Sequence, residues 1–308
     1  MIINKGKYKD LESIILENDL LRVTLVPSAG ARTASMIYLP EREELLWQNP
    51  SPTHAMVKYT QPFPDGEGAG FDEMFPTINP CPYPDSPWKG IEMPDHGEVW
   101  ALPWNCVIEP DCVRLDVHGV RLPYRLSKSV RLEGAVMKSV YRLENCSPFP
   151  MPFLYAAHPL FNVTAGDRII VPDNLKSVIN SVSSEALPEY GAEHEWTDAL
   201  SVMPPENPTG FKKYYFTGKN TEGWSALRRE ELSLEIRMSC SAEELPYLGI
   251  WMNEGGWADQ YNLALEPASA PMDDLPAARS FDAESVLGPN EVREWTLDIS
   301  TATFCRGS

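Results

Sequence analysis

The sequence predicts an all-β protein built as a large antiparallel sandwich, and three features of the chain support this fold class. Apolar and polar residues alternate in many segments of strand length, which is the period of a half-buried strand. No segment shows a sustained helical period, and the 29 prolines oppose long helices because each removes a backbone donor. Many short strands in one continuous stretch are typical of an antiparallel sandwich.

The length and charge of the chain limit what it binds. A chain of 308 residues is long enough for a sizeable core, and without an internal repeat or a sharp shift in composition we predict a single domain over residues 1–308. The net charge of -18 repels nucleic acid and anionic membrane surfaces, so we expect neither as a partner. The opening MIINKGKYKD has no apolar run suited to a signal or an anchor, so we expect a soluble cytoplasmic protein.

The first clear pair of strands lies in residues 20–38. Apolar residues alternate with polar ones up to Pro27, and the turn residues Ser28 to Gly30 lead into a return strand that begins at Arg32. This pattern predicts a hairpin and places the guanidinium of Arg32 near the end of a sheet.

Residues 61–90 are dense in proline, glycine and aromatic residues. Proline removes backbone donors and glycine permits tight turns, so we predict an ordered loop over one end of the sandwich rather than sheet. The aromatic side chains are expected to be buried, and loops of this length often build binding sites. They are Phe63, Phe71, Phe75, Tyr83 and Trp88.

Alternation predicts most of the later strands, at residues 113–117, 124–133, 138–145, 232–238, 248–252, 262–265 and 295–299. The same alternation points His118 away from the core. Residues 165–219 are polar and contain several prolines, which predicts mainly loops and short edge strands.

Three stretches place an ionisable residue at the end of a strand-like segment: His96 in PDHGEVWALPW, His158 in YAAHPLFN and Glu266 in YNLALEPASAPMDD. A single histidine in an apolar strand is more often a core residue than a catalyst. An imidazole that titrates near pH ~6.5 can nevertheless give or take a proton at neutral pH. One carboxylate and two imidazoles together offer an acid, a base and an electrophile.

The order of these pieces, with Arg32 after the first hairpin, resembles that of the aldose 1-epimerase (galactose mutarotase) superfamily over nearly the whole chain. The resemblance implies a β-supersandwich with an open, concave face that binds a sugar. It also implies that Glu266 is the base, that His158 is the acid, and that His96 and Arg32 hold sugar oxygens.

The reaction implied by the resemblance interconverts the α and β anomers of an aldose and needs neither a metal nor a cofactor. A base removes the proton of the C1 hydroxyl while an acid protonates the ring oxygen, and the opened sugar rotates and closes again. Glu266 is ionised at pH 7 if its pKa is ordinary, and a nearby carboxylate is expected to raise the pKa of His158 so that it can donate.

The sequence departs from the pattern of the superfamily at two places. Pro159 follows His158, where a hydroxyl or aromatic residue is more usual. Members of the superfamily also supply an aspartate from a strand in the middle of the chain to bind sugar hydroxyls, and no such residue can be placed in KKYYFTGKNTEGWSAL. The identity of the sugar is therefore open.

Trp251, in GIWMN, resembles an aromatic residue of the hexose-6-phosphate mutarotase branch. Its flat ring suits the C–H face of a pyranose, although a tryptophan in the core is an equally good interpretation.

Three alternatives to a mutarotase of neutral sugars remain. The first is a carbohydrate-binding or regulatory protein that has the same fold but no activity, which the unplaced aspartate favours. The second is a metal enzyme, since two histidines and one carboxylate ligate non-haem iron, but the chain has no H-x-H pair. The third is an epimerase of phosphorylated or sulfonated sugars such as a hexose-6-phosphate mutarotase, which clustered basic residues would favour and the motifs do not contain. The oligomeric state is not predicted.

Overall fold

The architecture consists almost entirely of β-strands, described over residues 1–305 of this computed structural model. The first half of the chain forms β1 (Ile2–Tyr8), β2 (Leu11–Glu17), β3 (Leu21–Val26), β4 (Arg32–Tyr38), β5 (Glu43–Glu44), β6 (Phe71–Met74), β7 (Cys81–Pro82), β8 (Glu92–Met93), β9 (Asn105–Ile108), β10 (Val113–His118), β11 (Tyr124–Glu133) and β12 (Val136–Asn145). The second half forms β13 (Met151–Phe153), β14 (Ala156–Asn162), β15 (Arg168–Ile170), β16 (Ser177–Asn180), β17 (Glu193–Glu195), β18 (Phe211–Phe216), β19 (Trp224–Arg229), β20 (Leu234–Cys240), β21 (Tyr247–Glu254), β22 (Tyr261–Ala268), β23 (Ser285–Leu287) and β24 (Val292–Thr303). The predicted all-β fold class is confirmed.

Two short helices interrupt the strands, α1 (Asp198–Ser201) and α2 (Leu275–Ser280). The side chain of Asp274 caps α2 by accepting a hydrogen bond from the backbone N–H of Ala277. Neither helix was expected, because one or two turns are too short to produce a helical period in the sequence. Within residues 1–305, no helix has the length and apolar character required to cross a membrane.

Two large antiparallel sheets form the sandwich. The first sheet has the strand order β1-β2-β3-β4-β6-β14-β22-β21-β18-β16-β17, and β5 joins β4 to complete its twelve strands in the described residues. The second has eight described strands in the order β15-β19-β20-β24-β12-β11-β10-β9. The centre of the first sheet therefore gathers β6, β14 and β22, which come from distant parts of the chain.

The core lies between the two sheets, and the alternation of side chains along each strand decides which residues enter it. Leu126 of β11 in the second sheet belongs to the same buried apolar cluster as Phe161 of β14 and Leu265 of β22 in the first. Successive residues of a strand point to opposite faces of the sheet. His158 and Glu266 therefore lie on the face of the first sheet that is turned away from the core.

A buried polar network attaches β6 to the second sheet. The carboxylate of Glu73 accepts hydrogen bonds from Lys128 Nζ at 2.9 Å, from the Tyr141 hydroxyl at 2.8 Å and from the Tyr155 hydroxyl at 2.6 Å. A buried carboxylate is stable only with such donors. Because Glu73 is held on the core side, its neighbour Asp72 is presented on the opposite face.

The hairpin predicted in residues 20–38 is confirmed. β3 and β4 pair antiparallel from Leu21 opposite Tyr38 to Val26 opposite Arg32. The predicted strands of residues 124–133 and 138–145 are β11 and β12, and His118 is exposed at the end of β10 as expected.

The prediction that residues 61–90 contain no sheet is wrong at β6, which lies between β4 and β14 in the first sheet. All four residues of β6 are buried, so no polar face produces an alternation that would mark a strand. The expected burial of the aromatic side chains is correct for all but Trp88, which is half-buried. The buried ones are Phe63, Phe71, Phe75 and Tyr83.

The prediction that residues 165–219 form mainly loops and short edge strands is wrong at β18, which lies inside the first sheet between β21 and β16. Its sequence, FKKYYF, contains two consecutive lysines that obscure a buried strand. Both lysines are buried because each forms an ion pair with a carboxylate, Lys212 with Glu254 and Lys213 with Glu266.

Candidate functional site

His158 and Glu266 occupy neighbouring positions at the centre of the first sheet. His158 lies opposite Asp72 across β14 and β6. On its other side, β14 pairs with β22 such that Ala156 lies opposite Ala268. This register, continued by two residues, places His158 opposite Glu266. The two sequence motifs therefore meet because their strands are adjacent.

The two side chains form a close pair of acid and base. His158 Nε2 lies 3.8 Å from Glu266 Oε1, and the side chains are only 6% and 0% exposed. In the described structure, His158 Nδ1 and Glu266 Oε1 have no hydrogen-bond partner. A buried polar atom without a partner costs free energy, so both atoms retain unused hydrogen-bonding capacity.

The charged form of each member of the pair is disfavoured by burial. Burial, together with the charges of His96, Lys213 and Arg32, lowers the pKa of His158 well below its usual value. The expectation that a neighbouring carboxylate raises this pKa is therefore wrong, because burial and the surrounding positive charges lower it. Burial raises the pKa of Glu266, and the ammonium of Lys213 opposes that rise.

Lys213 was not recognised as part of the site from the sequence. It projects from β18, where it lies opposite Trp251 of β21. Its ammonium donates to Glu266 Oε2 and lies 3.7 Å from Asp273 Oδ1. Burial alone would lower the pKa of Lys213, but the charges of Glu266 and Asp273 prevail and raise it, so the amine is protonated.

Asp273 supplies a second carboxylate from the loop that follows β22. Its Oδ1 accepts a hydrogen bond of 2.8 Å from the hydroxyl of Tyr215, whereas Oδ2 has no partner in the described structure. Tyr215 reaches this position across Gly249, where any side chain would collide with its ring at 2.8 Å. Asp273 and Asp274 are the two aspartates that end the motif LALEPASAPMDD, so the motif itself contained the signal for Asp273.

His96 lies on a tight turn across the site from the sheet. It adopts a left-handed backbone conformation with a φ of 56°, which is uncommon for a residue with a side chain. Its Nδ1 lies 2.9 Å from Asp95 Oδ1, and its ring stacks on Phe63 at 4.0 Å between centroids. The ring centroids of His96 and His158 are 5.4 Å apart. The turn therefore fixes His96 beside His158.

Arg32 does not reach the cavity. Its guanidinium is buried, forms an ion pair of 2.7 Å with Asp72 and donates to the carbonyl of Ala69 at 2.7 Å. Burial raises the pKa of Asp72 to about 6, although the charge of Arg32 opposes this rise. The structure thus places Arg32 behind the site, as a support for Asp72 and β6.

A cavity of about 420 Å³ opens in front of these residues. Glu266 is not part of its lining and lies directly behind His158 and Lys213. Trp257, from the loop after β21, forms a wall with Trp251, and their rings are perpendicular at 5.9 Å between centroids. The lining of the cavity includes Phe63, His96, His158, Lys213, Trp251 and Asp273.

The structure thus brings four of the five predicted site residues together and leaves Arg32 outside the cavity. Within residues 1–305, the one grouping of three close metal-ligating side chains is Glu109, Asp111 and Cys112, near the turn between β9 and β10. None of these three lines the cavity.

Solved structures share this fold over nearly the whole chain. The Slr1438 protein from Synechocystis sp. PCC 6803 is 20% identical, with a TM-score of 0.74 over 97% of this chain and 99% of that one. A galactose mutarotase related enzyme from Lactobacillus acidophilus is 14% identical, with a TM-score of 0.69 over 94% and 97%. A galactose mutarotase-like protein from Lactobacillus casei ATCC 334 is 16% identical, with a TM-score of 0.70 over 94% and 100%.

The chain therefore has the galactose mutarotase-like fold, which confirms the architecture implied by the sequence resemblance. At these identities the likeness concerns the fold alone. No family model matches the sequence, and no curated protein does.

Proposed function

We propose that the protein is an aldose 1-epimerase that interconverts the α and β anomers of a sugar bound in the cavity. The observation that carries this proposal is the pair formed by His158, which lines the cavity, and Glu266, which lies behind it at 3.8 Å, each with an unpartnered polar atom. Ring opening requires a base and an acid that act on two oxygens bonded to the same carbon, and a close pair of this kind meets that requirement.

The reaction proceeds by two coupled proton transfers. The carboxylate of Glu266 takes the proton of the C1 hydroxyl while the imidazolium of His158 gives its proton to the ring oxygen. The C1–O5 bond breaks, a carbonyl forms at C1, and closure after rotation reverses both transfers. The raised pKa of Glu266 makes its carboxylate a stronger base, and the lowered pKa of His158 makes its imidazolium a stronger acid.

Other groups of the lining are suited to hold the sugar. Asp273 Oδ2 is an unpartnered acceptor for a hydroxyl, which gives the site a binding carboxylate in place of the aspartate that is not found in the middle of the chain. The ring nitrogen of His96 that does not face Asp95 is available to a sugar oxygen. Trp251 offers a flat apolar surface to the C–H face of the ring.

The charges of the cavity favour a neutral sugar. Its one lysine, Lys213, is already neutralised by Glu266 and Asp273, and Asp95 adds a further negative charge to the lining. A phosphate or sulfonate group would need additional cationic donors. We therefore place hexose 6-phosphates behind neutral aldoses as substrates.

One observation favours a second candidate, a carbohydrate-binding protein of the same fold that does not turn its ligand over. Glu266 is 0% exposed, and its Oε2 accepts a hydrogen bond from Lys213. The carboxylate can therefore contact a sugar only between His158 and Lys213, which line the cavity in front of it.

Anomeric exchange separates the two candidates. Purified protein is added to a panel of neutral aldoses, and exchange between the α and β signals is measured by saturation-transfer NMR. Exchange above the uncatalysed rate supports the epimerase. Binding of a sugar without faster exchange would instead establish the carbohydrate-binding protein.

A further inference from the structure

Two consecutive lysines of β18 form two similar ion pairs on opposite faces of the first sheet. Lys213 pairs with Glu266 beside the cavity, and Lys212 pairs with Glu254 on the other face, away from the cavity lining. All four side chains are at most 10% exposed. The chain thus contains an internal control for the effect of a buried ion pair on the fold.

Lys213 is the cation in contact with Glu266. Four other groups face this carboxylate. Among the described residues, none of them is a second cation at hydrogen-bond distance from it. They are His158 of β14, His96 of the turn before β9, Asp273 of the loop after β22 and Tyr215 of β18. Asp273 is also negative, so it adds to the need for a positive charge at this position.

We propose that Lys213 keeps Glu266 in the carboxylate form that the epimerase reaction requires and is thereby a positioning residue for the base. This inference rests on the proposed function. A carboxylate that is fully removed from water becomes protonated unless a cation or several donors stabilise its charge. Glu266 Oε2 receives a hydrogen bond from Lys213, and Oε1 has no donor in the described structure.

Lys213 also decides where the proton of the Glu266 and His158 pair resides. The pair can exist as carboxylate and imidazolium, which is the reactive form, or as neutral acid and neutral imidazole. Lys213 touches Glu266 and lies farther from His158, and electrostatic energy falls with distance. The ammonium therefore stabilises the carboxylate more than it destabilises the imidazolium, and this favours the reactive form.

The test is the pH dependence of kcat/KM for anomeric exchange in Lys213→Met. A neighbouring cation lowers the pKa of a carboxylic acid by about 1 to 3 units. Loss of Lys213 therefore moves the acid limb of the profile to higher pH by about 1 to 3 units, and activity at a pH below the new limb falls by about 10- to 1,000-fold.

Two further variants separate charge from structure. Lys213→Arg retains the positive charge and is expected to keep the acid limb within about half a pH unit of the parent. Lys212→Met removes the matched ion pair on the other face and is expected to leave the limb in place. If Lys213→Met does not fold, Lys213→Gln takes its place, because it retains a hydrogen-bond donor without the charge.

A second readout does not depend on turnover. The side-chain carboxyl of Glu266 is titrated by ¹³C NMR, with its signal assigned by its loss in Glu266→Gln. The proposal predicts a higher titration midpoint in Lys213→Met than in the parent. An unchanged midpoint would overturn it. If the parent shows no exchange, the proposed function fails while the carboxyl titration still decides the role of Lys213.

Discussion

The imidazole of His158 lies 3.8 Å from the carboxylate of Glu266, although the two residues come from distant segments of the chain. Their strands, β14 and β22, are neighbours at the centre of the larger sheet. Lys213 donates a hydrogen bond to the other oxygen of the same carboxylate. Glu266 thus lies between the imidazole of His158 and the ammonium of Lys213, and both of these groups line the cavity.

Glu266→Gln is expected to lower kcat for anomeric exchange by about 10²- to 10⁴-fold, because the amide keeps the size of the side chain but cannot accept the proton. Sugar affinity should remain within a few-fold, since Glu266 is not part of the cavity lining. The control is Glu254→Gln, which removes the matched carboxylate of the Lys212 ion pair. Saturation-transfer NMR compares the three proteins, and parental exchange in Glu266→Gln would show that the base lies elsewhere.

His158→Asn is expected to lower kcat by a similar factor, about 10²- to 10⁴-fold, because the amide cannot donate a proton to the ring oxygen. His118→Asn changes an exposed histidine on β10 and should exchange anomers at the parental rate. If both variants retain activity, His158 is a residue of the wall and not the acid.

Trp251→Ala is expected to raise KM by about 2- to 10-fold and to leave kcat nearly unchanged, because stacking of this kind contributes about 0.5–1.5 kcal/mol. The matched variant is Trp224→Ala, which removes a half-buried tryptophan of the second sheet outside the cavity. Steady-state kinetics with the best sugar of the panel measure both constants. A fall in kcat with an unchanged KM would argue against a stacking surface.

Neutral aldoses are expected to be turned over faster than their phosphates, because Lys213 has no unpaired charge to offer a second anion. Glucose and galactose are compared with glucose 6-phosphate and galactose 6-phosphate at matched concentrations. A clear preference for the phosphorylated sugars would contradict the assignment of the substrate class.

His54→Leu is expected to make the protein more resistant to acid. Burial, followed by the charge of Arg32, lowers the pKa of His54 to about 4, and both of its ring nitrogens lack partners in the described structure. An unfolded histidine titrates near ~6.5, so between that pH and about 4 the unfolded chain binds a proton that the folded chain does not. Stability attributable to His54 is therefore present above pH ~6.5 and declines as the pH falls.

Urea unfolding of the parent and of His54→Leu at pH 7, 5.5 and 4.5 measures this effect. The parent should lose more free energy of unfolding on acidification than the variant does. Parallel losses in the two proteins would show that His54 is protonated as easily in the folded state as in the unfolded one.

The sequence was most informative where one face of a strand is buried and the other is wet. β11 was predicted with its observed bounds because its residues, apart from Lys128, alternate between apolar and polar from Tyr124 to Glu133. The motifs around His96, His158 and Glu266 were also found, since His158 and Glu266 each stand in an apolar run before a proline and His96 stands before a glycine and among tryptophans. The resemblance carried by these motifs implied the fold that the structure shows.

The sequence failed where both faces of a strand are buried and the polar residues are satisfied internally. β6 contains Asp72 and Glu73 on opposite faces, one paired with Arg32 and the other with Lys128. β18 contains two consecutive lysines, which are typical of a solvated segment. In both strands a distant partner neutralises the charge, and no local pattern records that partner.

The sequence by itself determined an all-β chain and which residues have the chemistry to act on a sugar. Only the tertiary structure decided that Lys213 and Asp273 join the site, that Arg32 remains behind it, and that burial lowers the pKa of His158. The physical reason is that pairing between strands from distant segments sets both the neighbours of a charged group and its exposure to water. These two factors determine its protonation state, and neither can be read from the residues beside it in the chain.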